Sequence, residues 1–122
     1  MIHVELLRDH GIFAITPDGP LDNADFELLT AKLGRFLASK QKVAGVMIRT
    51  KSFPGWRSFG ALLSHLRFVA AHHRHIERIA VVTDSRFLKV IPHVARYVVR
   101  PRIKLFGSQE ERSALAWLET GQ

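Results

Sequence analysis

Seven histidines, 18 lysines and arginines and 11 aspartates and glutamates supply the groups with which this 122-residue chain could do acid–base, metal or anion chemistry. Cysteine is absent, which excludes disulfides, thiolate nucleophiles and thiolate metal sites. Five histidines, His65, His72, His73, His75 and His93, fall in the middle of the chain. His72 and His75 have the three-residue spacing of a helical metal pair, but the nearest carboxylate, Glu77, lies beyond the expected helix end. Cations closing a helix are the simpler reading, and neither a metal nor a cofactor is expected. Asp84 follows an apolar strand pattern, where ligands of α/β sheets bind. It is equally placed to cap the next helix.

Two stretches have clearer binding chemistry. In the loop Lys51-Ser-Phe-Pro-Gly-Trp-Arg-Ser58, Phe53 and Trp56 stand among turn formers. They either cover the core edge or line a small pocket. In the second case Lys51, Arg57 and the amides opening a helix after Ser52–Ser58 face an anion. Further on, Lys89, His93, Arg96 and Arg100 recur at spacings of four, three and four, so they share a helix face. Arg86 before them and Arg102 and Lys104 after them extend the basic surface. A solvated or oligomer-facing stripe and a phosphate-contacting stripe are both compatible with this pattern. Exposed aromatics suited to stacking are limited to Tyr97, and helix-turn-helix and zinc-finger spacings are missing, which disfavours nucleic acid.

Charge is unevenly distributed. Residues 1–48 carry five basic and six acidic groups, 49–104 twelve basic groups against Glu77 and Asp84, and 105–122 Arg112 against three glutamates. The net charge of +7 is therefore a property of the middle segment. Glycine-rich phosphate loops and Gly-x-Ser-x-Gly are absent, and no base stands beside an orienting partner, so the residues do not describe an enzyme. The longest apolar run, Val43 to Ile48, is far short of the ~20 residues that span a membrane. The N-terminus lacks the basic head and apolar stretch of a secretory signal, so a cytoplasmic protein is expected.

The elements that must position these residues follow from periodicity. Ile2–Arg8 and Ile12–Thr16 read as strands joined at Asp9-His-Gly11, an antiparallel hairpin. Asp22 or Asn23 caps a helix with Phe26, Leu29, Leu33, Phe36 and Leu37 on its apolar face. Val43–Ile48 reads as a central strand covered on both faces. Ser58 then opens a helix with a stripe of Phe59, Leu62, Leu63, Leu66, Val69 and Ala70. Arg78–Thr83 is another buried strand. Next comes a helix carrying Phe87, Val90, Ile91, Val94 and Val98, kinked or broken at Pro92. Arg102–Phe106 reads as a half-exposed or edge strand, and a last helix packs through Leu115, Trp117 and Leu118. The order predicts a single α/β domain over 1–122, with a mixed five-stranded sheet, parallel βα crossovers after the hairpin and about four helices. Trp117 and the edge strands suggest a homodimer.

The hairpin Ile2–Thr16, the segment Val46-Met-Ile-Arg-Thr-Lys-Ser-Phe-Pro-Gly-Trp56 and Glu77-Arg-Ile-Ala-Val-Val-Thr-Asp-Ser-Arg-Phe-Leu88 resemble the SpoIIAA-like proteins. These are small α/β domains related to STAS domains and to the CRAL-TRIO lipid-binding fold. The resemblance spans nearly the whole chain. It implies a non-catalytic interaction or small-ligand module that binds a regulatory protein or a small apolar or anionic ligand. The alternative function is a polyanion binder, for nucleic acid or an anionic membrane surface, through residues 86–104. In the anti-sigma-factor antagonists a serine opening the helix after the central strand is phosphorylated. Ser58 holds the comparable place, with Trp56-Arg-Ser-Phe-Gly60 around it where those proteins have Asp-Ser-Ser/Thr-Gly-Leu.

Overall fold

The computed structural model describes residues 2–8, 11–39, 42–50, 55, 59–84 and 101–121, with the backbone alone at 59, 60, 62 and 63. Its strands are β1 (Ile2–Arg8), β2 (Ile12–Pro17), β3 (Val43–Arg49), β4 (Ile76–Val82) and β5 (Arg102–Phe106). Its helices are α1 (Asn23–Ala38), α2 (Phe59–His72) and α3 (Glu111–Thr120), with a 3-10 turn at His73–His75. The helix expected between β4 and β5 falls outside the described residues.

The strands form one five-stranded sheet in chain order, β1-β2-β3-β4-β5. The pair β1–β2 is antiparallel, and β2–β3, β3–β4 and β4–β5 are parallel. The mixed sheet predicted from the sequence is therefore the observed one. Arg102–Phe106 is an edge strand, consistent with its alternation. Strand β4 begins two residues earlier than the apolar pattern shows, because Ile76 pairs with Val43 and is buried against the first core.

Two cores lie on opposite faces of the sheet. On one face Phe13, Ile15 and Val46 meet Phe26, Leu29 and Leu33 of α1, with Phe68 of α2 against the same cluster. Helix α1 opens on the expected cap: Asp22 and Asp25 form a reciprocal capping box, which satisfies amides that the helix cannot. Ser64 of α2 donates to Asn23 Oδ1 at 2.8 Å and ties the two helices together. Leu66, placed in the packing stripe of α2 by spacing, is 58% exposed. A correct period does not fix how wide the buried stripe is.

On the other face α3 folds back over the sheet, where Ala114, Trp117 and Leu118 pack with Ile12, Ala14, Met47, Ala80, Val82 and Phe106. Gly45 makes this approach close. A Cβ there would stand 2.8 Å from Leu118 Cδ2, so the helix rests on bare strand backbone. Trp117 is buried in this core, with 7% exposure, and so is not available as a dimer contact. The C-terminal end of α3 is closed by Gly121 in the left-handed region and by Arg78, whose Nη1 donates to the Leu118 carbonyl at 3.1 Å.

Candidate functional site

The parallel strands β2–β5 all end on one edge of the sheet, and that edge gathers Thr16, Arg49, Thr50, Thr83, Asp84 and Ser108. Backbone bonds continue past the strand ends. Thr50 N–H donates to Val82 O at 3.0 Å and Thr83 N–H to Phe106 O at 2.9 Å. Thr83 is fully buried there.

Arg49, the last residue of β3, is the hub of this edge. Its Nε donates to Thr16 Oγ1 at 3.3 Å, its Nη2 to Glu5 Oε2 at 3.3 Å and its Nη1 to Glu111 Oε1. One guanidinium thus joins β1, β2 and the first turn of α3. The planar fork of arginine suits this work, because several donors diverge from one rigid group. The hydrogen bond to Glu111 is the largest influence holding Arg49 above its ordinary value, against a smaller opposing effect of burial. The carboxylates are well exposed, so each pair contributes only about 0–1 kcal/mol. Burial of one Leu, Phe or Met contributes about 1.5–3 kcal/mol, so the apolar cores hold the faces together and Arg49 aligns their edge.

Asp84 is fixed from the neighbouring strand end. Its Oδ1 accepts from Ser108 N–H at 3.1 Å and its Oδ2 from Ser108 Oγ at 2.7 Å. Glu110 Oε1 accepts from Gly107 N–H at 2.7 Å and fixes the same turn from the other side. The carboxylate at the end of β4 is therefore a brace for the β5–α3 turn.

Of the loop singled out by sequence, Lys51, Ser52, Phe53, Trp56, Arg57 and Ser58 lie outside the described residues. Gly55 is described, and its carbonyl accepts from Leu21 N–H at 2.8 Å. Its φ of +83° is the left-handed conformation that glycine accepts without strain. Gly55 is thus tethered to the residue that precedes the Asp22 cap of α1.

Of the basic surface, Arg86, Lys89, His93, Arg96 and Arg100 also lie outside the described residues. Arg102 and Lys104 are exposed on β5 and alternate onto the face covered by α3. Lys104 Nζ stands 5.4 Å from the centre of the Phe106 ring, and Arg102 pairs in register with Arg78. Charges on an edge strand discourage further strand pairing, which gives these two a role in the fold itself.

Of the described histidines, His3 lies on β1, and His65 and His72 are built into α2. His65 stacks on Phe26 with ring centres 4.9 Å apart, and burial lowers its pKa. His72 stacks on Phe68 at 4.4 Å, with Nδ1 3.0 Å from the Phe68 carbonyl. Among the described residues no three His, Cys, Asp or Glu side chains converge as metal ligands. The surface of the described residues is grooved. One groove of about 500 Å³ between β1 and α1 is lined by Val4, Leu6, Phe13, Lys32, Arg35 and Phe36. Another, of about 550 Å³, runs between α1 and α2 along Phe26, Phe68 and His72.

Sequence reasoning missed Arg49. Its only local signal is a charge closing an apolar strand, while Glu5 and Glu111 stand 44 and 62 residues away.

With this geometry in view, the likeness to known proteins is specific. The model of the SpoIIAA-like family matches residues 12–119. This chain belongs to the SpoIIAA-like family. Among solved structures, it is similar to an uncharacterized protein of the DUF3478 family with a SpoIIAA-like fold from Shewanella loihica PV-4. The two are 24% identical, with a TM-score of 0.78 over 97% of this chain and 92% of that one. That likeness concerns the fold. No curated protein matches the chain. Among the described residues, no helix of this SpoIIAA-like chain is long and apolar enough to cross a membrane.

Proposed function

We propose that this SpoIIAA-like protein is a non-catalytic interaction module of the cytoplasm. Its contact is the 51–58 loop, which follows β3 in the chain, and its partner is a regulatory protein. What supports this reading is the state of the charged groups at the carboxyl ends of the parallel strands. Arg49 is engaged by Glu5, Glu111 and Thr16, and Asp84 by Ser108. Groups held this way brace strand ends and the turn that precedes α3. A base poised for proton transfer needs instead an orienting partner and an open face toward substrate. Trp56 and Arg57 are residue types that dominate binding energy in protein interfaces. The Ser58 hydroxyl, beside Arg57 at the start of α2, is the candidate for modification, since added phosphate is tolerated at a helix N-terminus.

The test is photo-crosslinking in the native cell from position 56, with position 32 on α1 as the control surface. One protein captured from position 56 alone, whose binding to the purified chain falls at least tenfold on Trp56→Ala, supports the proposal. Equal capture from both positions, binding unchanged by Trp56→Ala and Ser58→Asp, or a small molecule copurifying in place of a protein overturns it.

A further inference from the structure

The two edges of the sheet are built differently. The β5 edge begins after Pro101 and carries exposed Arg102 and Lys104, a combination that blocks strand addition. The β1 edge instead carries exposed His3 and Glu5, an acid and a base in place of two cations, and has no proline between Ile2 and Leu6. Its residues alternate, with Val4 and Leu6 on the α1 groove and His3 and Glu5 on the opposite face. Leu6 is 45% exposed.

Backbone polarity follows from the ladder. Gly45 N–H donates to Gly11 O, so the odd-numbered residues of β2 turn their backbone groups toward β3. The even-numbered ones face β1, which makes Thr16–His3 and Ala14–Glu5 the hydrogen-bonded pairs. The N–H and C=O groups of Ile2, Val4 and Leu6 then point outward from the sheet. The regular ladder stops at a register shift between Leu6 and Arg8.

We propose that the β1 edge pairs with the β1 edge of a second copy of this chain, antiparallel about a two-fold axis at Val4, giving a continuous ten-stranded sheet. Three features select the second copy and this register. Val4 meets Val4 of the second copy and Ile2 meets its Leu6, so the outward backbone groups on the two strands face each other. His3 falls directly opposite Glu5 of the second copy, twice by symmetry, in the close non-hydrogen-bonded positions, where an imidazole N–H can donate to the carboxylate. A two-fold at Glu5 would set carboxylate against carboxylate, and one at Leu6 would run into the register shift. Both His3 and Glu5 are more than 60% exposed; His3 Nε2 stands 3.6 Å from Asp18 Oδ2 of its own chain, which leaves Nδ1 for the second copy, and a carboxylate that holds Arg49 still accepts a further donor. The exposed Leu6 is covered by the second copy's Ile2. The residues involved differ from those of the 51–58 loop, so the dimer and the proposed partner contact are tested by different substitutions.

Sedimentation of the full chain over a range of concentrations gives the first readout. One strand pair lies at the small end of specific interfaces, so a concentration-dependent monomer–dimer equilibrium is expected. His3→Glu, a surface exchange, should weaken dimerisation about tenfold, and His3→Lys should strengthen it. Because the chain has no cysteine, register is read directly. His3→Cys and Glu5→Cys proteins should form a disulfide when mixed and oxidised, and neither should do so alone. Monomer at every concentration, a dimer indifferent to His3→Glu, or single variants that crosslink as readily as the mixture would overturn the proposal. A strand from another protein occupying this edge in place of a second copy would overturn it equally. Circular dichroism of each variant confirms that the fold is retained.

Discussion

His65 shows how one side chain ties the helical layer to solution conditions. It lies half-buried on Phe26, and desolvation lowers its pKa below the ordinary histidine value. The unfolded chain therefore takes up a proton at this position at higher pH than the folded chain does. Stability is unaffected well above ~6.5, falls as pH drops through that value, and levels off only below the folded pKa. His65→Phe keeps a ring on Phe26 and removes the titration. In denaturant unfolding at pH ~8 and ~5, the wild-type protein should lose more stability on acidification than the variant. Equal losses would assign the acid sensitivity to other groups. Arg49 is a different case at this scale. Its position at the end of an apolar strand was visible in the sequence, but its partners come from β1, β2 and α3 and no local pattern reveals them.

At the level of elements, periodicity located the strands and the apolar faces of α1 and α3, because burial on one side of a strand or helix leaves a repeating signature. It overestimated the buried stripe of α2, where Leu66 is exposed. It also could not show that the glycine in the central strand is a contact site. Gly45 lets Leu118 of α3 touch the strand, with 2.8 Å to the Cβ that any other residue would add. Gly45→Ala should therefore lower stability by about 1–3 kcal/mol, because a methyl must displace a well-packed leucine. Trimming the opposing side chain in Gly45→Ala/Leu118→Ala should give a smaller loss than the two single changes add up to. Additive losses in a double-mutant cycle would show that the glycine matters for strand conformation alone.

The whole molecule depends on α3 covering the face of the sheet that α1 and α2 leave open. Met47, Ala80, Val82 and Phe106 are buried there against Ala114, Trp117 and Leu118. A chain ending before Glu111 would expose this surface, and the loss of several buried side chains at about 1.5–3 kcal/mol each exceeds the margin of a small domain. Such a truncation should lose its cooperative thermal transition and bind a hydrophobic dye. A sharp transition near that of the full chain would show that the first core folds alone. The sequence by itself determined the order of elements, the hairpin followed by parallel strands, the alternation of Arg102–Phe106 and the resemblance that places the chain among SpoIIAA-like proteins. Those properties are written in local periodicity, turn residues and short motifs. Tertiary structure decided that Trp117 is core, that Asp84 braces the β5–α3 turn, and that Arg49 joins three distant elements. It also decided that β1 forms the other edge of the sheet, paired with β2 alone. The first three are pairings between residues far apart in the chain, and all are fixed by the chain-order pairing of the strands and by a last helix that returns to the opposite face.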